Sequence, residues 1–131
     1  MPRSTILRLG WTTVNANSNG SPGTFWPDTP WMTTSQVGGV RPTMEMRALN
    51  GDQEVTMAYQ TANVENTPIA TDTIGSAVTA NGFSFGSAFI DISTDLDQAQ
   101  LVRFGWMVRN TTTSNITWSR VGGSIEILDK C

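Results

Sequence analysis

A chain of 131 residues can bury a core as one domain without staples, and this one has no histidine, a single cysteine at Cys131 and a single lysine at Lys130. That inventory excludes Ser/His/Asp and Cys/His nucleophilic catalysis, histidine acid/base chemistry and the usual zinc sites, and it leaves a Schiff-base amine only beside the last residue. The net charge of −3 with scattered arginines gives no electrostatic footprint for nucleic acid, and no apolar run approaches the roughly 18 residues of a membrane span or a signal-peptide core.

Along the chain, alternation with period two recurs. In Thr5–Trp11, Leu7, Leu9 and Trp11 share one face with Arg8 on the other. The next stretch, residues 15–36, has no alternation and reads as an extended loop or arm, with Pro27 and Pro30 barring an interior strand. Met44, Met46 and Ala48 then alternate with Glu45 and Arg47, and Val55, Met57 and Tyr59 follow after Asn50-Gly51-Asp52, a pattern that predicts a hairpin. Residues 62–73, polar and containing Pro68, resist assignment. Phe83 and Phe85 share one face, followed by Ala88, Ile90 and Ile92, with Gly86 allowing a bulge where the phase changes. One helical turn fits within 93–101, capped by Ser93 or Thr94. Val102, Phe104, Trp106 and Val108 alternate cleanly, and Ile116, Trp118, Ile125 and Ile127 mark a last strand interrupted by Gly122-Gly123. A polar turn at 111–115 predicts a second hairpin between these two. The expected fold is all-β: an antiparallel β-sandwich, jelly-roll-like, of about seven to eight strands in a single domain spanning 1–131, with a long N-terminal aromatic loop. The run Leu7–Asn15 echoes Val102–Asn110, each carrying Arg-x-Gly-Trp, a hint of duplication.

Few constellations carry chemistry. Asp91, Asp95 and Asp97 bring three carboxylates together without the spacing or glycine of a calcium loop and read as a solvated turn. The glycine pairs Gly38-Gly39 and Gly122-Gly123 lack the helix and Gly-Lys-Ser/Thr of a phosphate loop and read as bulges or close strand approach. The Asn-x-Ser/Thr triplets at Asn19, Asn110 and Asn115 read as turns. No enzyme activity, cofactor or metal is expected. The conspicuous feature is GTFWPDTPW, residues 23–31: Phe25, Trp26 and Trp31, with Met32 following, concentrate large apolar groups on a proline-stiffened segment. They fit three roles: a lid over the sandwich end, anchors for a protein partner, or a sugar-stacking platform. As partner-binding residues the candidates are Phe25, Trp26, Trp31 and Met32.

Charged residues make up only 15% of the chain, lysine is almost absent, and Thr, Asn and Ser are abundant, so much of the surface is suited to facing other protein. In this composition and strand pattern, over the whole chain, the sequence resembles the small structural proteins of bacteriophage virions, in particular capsid decoration (cement) proteins. The resemblance brings no residue role with it. It implies a homo-oligomer, a trimer above other states, made in the host cytoplasm without a signal peptide and residing in the virion. There it binds the major capsid protein or other virion proteins and stabilises the shell, with no nucleic-acid or membrane partner. The reading from another class is a carbohydrate-binding β-sandwich module, free-standing or part of a phage fibre.

Overall fold

Alternating apolar side chains drive the ten strands found among the described residues into two facing antiparallel sheets. The computed structural model describes residues 4–16, 20, 23–50, 53–65, 67–79, 81–86, 89–96, 99–111 and 117–129. The strands are β1 (Ser4–Ala16), β2 (Thr24–Pro27), β3 (Met32–Thr33), β4 (Val37–Asn50), β5 (Gln53–Ala62), β6 (Pro68–Thr79), β7 (Gly82–Phe85), β8 (Ile90–Asp91), β9 (Leu101–Asn110) and β10 (Thr117–Asp129). Among the described residues, one α-turn, α1 (Ser93–Leu96), falls where one turn was expected. Sheet A runs β1-β10-β4-β7, with β8 beside the start of β4, and sheet B runs β2-β9-β5-β6, with β3 beside the start of β9.

The pairing is nested. The first strand pairs with the last, β2 and β3 with β9, β4 with β7 and β8, and β5 with β6. The β10–β4 and β9–β5 ladders then join these ribbons into two sheets. Four antiparallel ribbons wrapped this way are a jelly roll. The inner faces meet in one core that includes Val14, Val40, Met46, Val55, Met57, Phe104, Trp106 and Ile125. Phe104, Trp106, Val102 and Val108 are fully buried, as their alternation requires.

Several sequence expectations are corrected by this topology. Strands β4 and β5 are in opposite sheets, as are β9 and β10, so neither predicted hairpin forms and both connections cross between layers. Alternation fixes which face of a strand is buried; it says nothing about which strand lies alongside. The hairpin that does form joins β5 to β6, the latter starting inside the unassigned 62–73 stretch. Within the expected arm, Thr24–Pro27 and Met32–Thr33 are short edge strands on β9, a position where proline is tolerated because one row of N–H groups needs no ladder partner. Trp11 does not share the buried face of Leu9. The β1–β10 register shifts between Leu9 and Thr12, so one extra residue opposes Gly122 and Trp11 is thrown onto the outer face. The echo of Leu7–Asn15 in Val102–Asn110 therefore ends with Trp11 exposed on an edge strand and Trp106 fully buried on an inner one, which is not the pseudo-symmetry of a duplication. Trp118, expected on the core side, also points outward. Ala88, Asp97, Ile116, Lys130 and Cys131, and the side chains of Phe85 and Asp95, lie outside the described residues.

Candidate functional site

The proline-flanked aromatics divide between the two sides of sheet B. Strand β2 sets Trp26 opposite Trp106 and Phe25 opposite Met107, so Trp26 turns inward. Trp26 and Met32 are half-buried and pack against the core. Trp106 donates its indole Nε1–H to Asp28 Oδ2 at 3.0 Å. The Asp28 and Thr29 amides both donate to the Phe104 carbonyl, at 2.9 and 3.1 Å, and the Phe104 amide donates to Thr29 Oγ1 at 2.9 Å. The segment between Pro27 and Pro30 is thus held on β9 without regular pairing. A Cβ at Gly105 would run into the Trp26 carbonyl oxygen, so the closeness of β2 to β9 requires glycine there.

Phe25 and Trp31 stay on the outer side and share one cation. The Arg103 guanidinium lies 4.3 Å from the Trp31 ring centroid and 5.8 Å from that of Phe25. It donates from Nε and Nη2 to Gln60 Oε1, at 3.0 and 2.6 Å, and Gln60 Nε2 donates to Thr71 Oγ1 at 3.2 Å. Four strands' worth of side chains therefore hold one stacked arginine–aromatic cluster. Cation–π contacts of this exposure stabilise by about 0.5–1 kcal/mol each. Of the four predicted partner residues, Phe25 and Trp31 share the Arg103 guanidinium, and Trp26 and Met32 pack against the core.

The outer face of sheet A carries a second cluster that sequence reasoning missed. Ile6, Trp11, Leu49, Phe83 and Trp118 all stand exposed on it, Trp11 at 47% and Phe83 at 62%. The Trp11 indole lies across Gly122, where an added Cβ would sit 3.2 Å from Trp11 Cδ2. This leaves a groove of about 250 Å³ between Trp11 and Phe83, with Thr43 and Glu45 on its floor, and it opens past Phe83 into a second of about 620 Å³ reaching Leu49. Arg120 stacks 5.6 Å from the Trp11 centroid. By register, Arg8, Arg41, Arg47 and Arg120 point out of this face against Glu45, Asp91 and Glu126, a surplus of one positive charge among the described residues on a chain whose net charge is −3. Glu126 accepts from Arg41 Nε at 3.0 Å and also from Arg41 Nη2, and Arg41 lies 4.6 Å from the Phe89 ring centroid. Hydrogen bonds from Arg41 first, then from Ser4, hold the Glu126 carboxyl below its ordinary range. The only sequence signal for this groove was the conjunction of Gly122-Gly123 with a Gly10-Trp11 pair, which a bulge needs and a core strand does not.

A third recess, of about 370 Å³, sits at the end of the sandwich between Gly38-Gly39, Phe89, Asp91 and Asp129. Asp91 Oδ1 accepts from the Ser93 amide at 2.9 Å and its hydroxyl at 2.6 Å, so that carboxylate caps the α1 turn. Among the described residues, no three His, Cys, Asp or Glu side chains gather in a metal-binding group.

No family model matches the sequence. No curated protein matches it significantly. Solved structures do match in shape. A structure of the Gt strain of infectious bursal disease virus superposes with a TM-score of 0.65 over 97% of this chain at 10% identity. The crystal structure of a T13 particle of the same virus gives 0.66 over 97% at 9% identity, and its VP2 subviral particle gives 0.63 over 97% at 9%. The chain spans about a third of the length of these proteins, 33%, 31% and 32%. At this identity the likeness is one of fold: a jelly roll of the kind found in a virus particle.

Proposed function

We propose that this protein is a non-enzymatic structural component of a virion, of the phage capsid-decoration type, that binds across major capsid protein subunits and stabilises the shell. The observation that carries the reading is the placement of arginine–aromatic clusters on both outer faces of one small sandwich. Aromatic residues and arginine are enriched, and lysine depleted, where proteins meet, and a body with such a patch on each side can bridge two neighbours. The match in fold to a domain of a particle-forming viral protein supports the same class. Bridging several subunits multiplies modest contacts through avidity, so no single contact needs to be strong. On this reading the Phe25–Arg103–Trp31 cluster, rigid before any partner arrives, is the capsid-facing anchor, and Trp26 and Met32 support it from beneath.

The test is co-sedimentation with shells assembled from the major capsid protein of the same virus. Wild-type protein is expected to pellet with the shells, and the Phe25→Ala, Trp31→Ala double variant to bind at least tenfold more weakly while keeping its circular-dichroism spectrum. No pelleting of the wild type would overturn the proposal. So would a tryptophan-fluorescence titration with simple saccharides that saturates, since that is the signature of the carbohydrate-binding alternative.

A further inference from the structure

We propose that the Trp11–Phe83 groove of sheet A is the docking site for the β5–β6 turn of a second copy of this chain, so that copies join head to tail. The inference rests on the reading that the protein works as an assembly, and it names the two surfaces that would make one. Eight large hydrophobic side chains stand exposed among the described residues. Five are on the outer face of sheet A, and two of the other three, Val64 and Ile69, flank the β5–β6 turn. One is a groove; the other is a knob.

The described residues of the knob, 63–65 and 67–69, are held by side-chain hydrogen bonds at Val64, Glu65 and Thr67. Asn63 Oδ1 accepts from the amides of Glu65 and Thr67, at 3.1 and 3.2 Å, and Gln100 Oε1 accepts from the Val64 amide at 2.9 Å. A turn pinned by three side-chain hydrogen bonds loses little freedom on docking. Its charge also complements the groove. Glu65 and Asp72 stand exposed around Val64 and Ile69, while Arg8, Arg47 and Arg120 lie on the same face as Trp11 and Phe83; Glu45 on the groove floor pairs with Arg47 at 3.7 Å, which leaves Arg8 and Arg120 as the groove's positive surplus. The nearest cation on the knob's own sheet, Arg103, is already held by Gln60, Phe25 and Trp31. Two sheet A faces brought together would instead oppose like surpluses, which disfavours a face-to-face dimer. The turn lies at the end of sheet B and the groove on the outside of sheet A, so both can be occupied at once. Such a contact is heterologous and either closes a ring or propagates.

The experiment uses static light scattering on three full-length proteins: wild type, a knob variant (Val64→Asp, Ile69→Asp) and a groove variant (Phe83→Asp). Wild type is expected to form an oligomer that shifts towards monomer as salt is raised, since exposed ion pairs are screened. Each variant alone should be monomeric. Mixed one to one, they should form a heterodimer, because one intact knob then meets one intact groove. Should Phe83→Asp fail to fold, Arg120→Glu with Arg47→Glu takes its place as the groove variant, and Glu65→Arg on the partner should restore at least part of the affinity. A monomeric wild type, a knob variant that keeps the wild-type oligomer, or a mixture that stays monomeric would overturn the proposal. No shell is present in this assay, so its failure is distinct from failure of capsid binding, which co-sedimentation reads separately.

Discussion

At the scale of single residues, the surfaces depend on where a β-carbon is missing. Gly105 lets the β2 backbone close onto β9, with the Trp26 carbonyl in the space a Cβ would take. Gly10 sits in the β1 bulge with nothing within 4 Å of an added Cβ. The two positions read alike in the sequence, each preceding a tryptophan after an Arg-x pair, and the structure gives them opposite tolerances. Gly105→Ala must displace backbone, not the tip of a side chain, and is expected to destabilise the fold by at least about 2 kcal/mol, in the range of overpacked cores. Gly10→Ala should stay within roughly 0.5 kcal/mol of wild type, as surface substitutions do. Urea denaturation of both variants checks the pair, and equal midpoints would show that β2 is not held where the structure puts it.

At the scale of elements, the aromatic segment behaves as an edge strand with two working sides. Trp26 faces the core and Trp31 faces Arg103, so the two tryptophans should separate on truncation. Trp26→Ala opens a gap beside Trp106 and is expected to destabilise by about 2–4 kcal/mol, a little under the figure for a fully buried aromatic. Trp31→Ala loses a cation–π contact and partial cover, about 1 kcal/mol. Thermal melts of the two variants measure the difference; a larger loss for Trp31 would reverse the assignment of lid and anchor. The two residues are five apart on a segment with no alternation, so nothing in the sequence distinguishes them. Strands β4, β5 and β9 were legible because Met44/Met46, Val55/Met57/Tyr59 and Val102/Phe104/Trp106/Val108 keep strict phase. Strand β6 was not: its buried residues Ile74 and Val78 are four apart, because the ladder shifts between Val55 and Met57 and Gly75 takes φ +74° in the extra residues. The same kind of shift on β1 hid the exposed groove by making Trp11 look like core. Bulges are invisible to a period-two count: the groove lies beside the shift between Leu9 and Thr12, and the β5–β6 turn beside a further shift between Thr61 and Ala62.

At the scale of the whole molecule, nesting makes formation of sheet A depend on both ends of the chain. Strand β1 has β10 as its ladder partner, and the loop that pairing closes spans nearly the entire sequence, whereas the β5–β6 hairpin closes across residues 63–67. Loop-closure entropy alone sets these apart by about 2–3 kcal/mol. The hairpin, with β9 added alongside, is therefore the cheaper nucleus, and the β1–β10 ladder should form late. All-β chains dominated by distant pairings refold in roughly milliseconds to seconds, and this one belongs in that range. Two core substitutions test the order of events. Leu9→Ala on β1 and Met57→Ala on β5 each remove a buried side chain, and each should destabilise by about 2–5 kcal/mol. If β1 docks late, Leu9→Ala accelerates unfolding and leaves the refolding rate within about twofold, while Met57→Ala slows refolding. Stopped-flow refolding and unfolding of monomeric protein, with slow proline phases set aside by a double jump, gives both arms. Refolding slowed as much by Leu9→Ala as by Met57→Ala would mean that the terminal ribbon is already paired in the transition state, and that closing the longest loop is the event that commits the chain to the jelly roll.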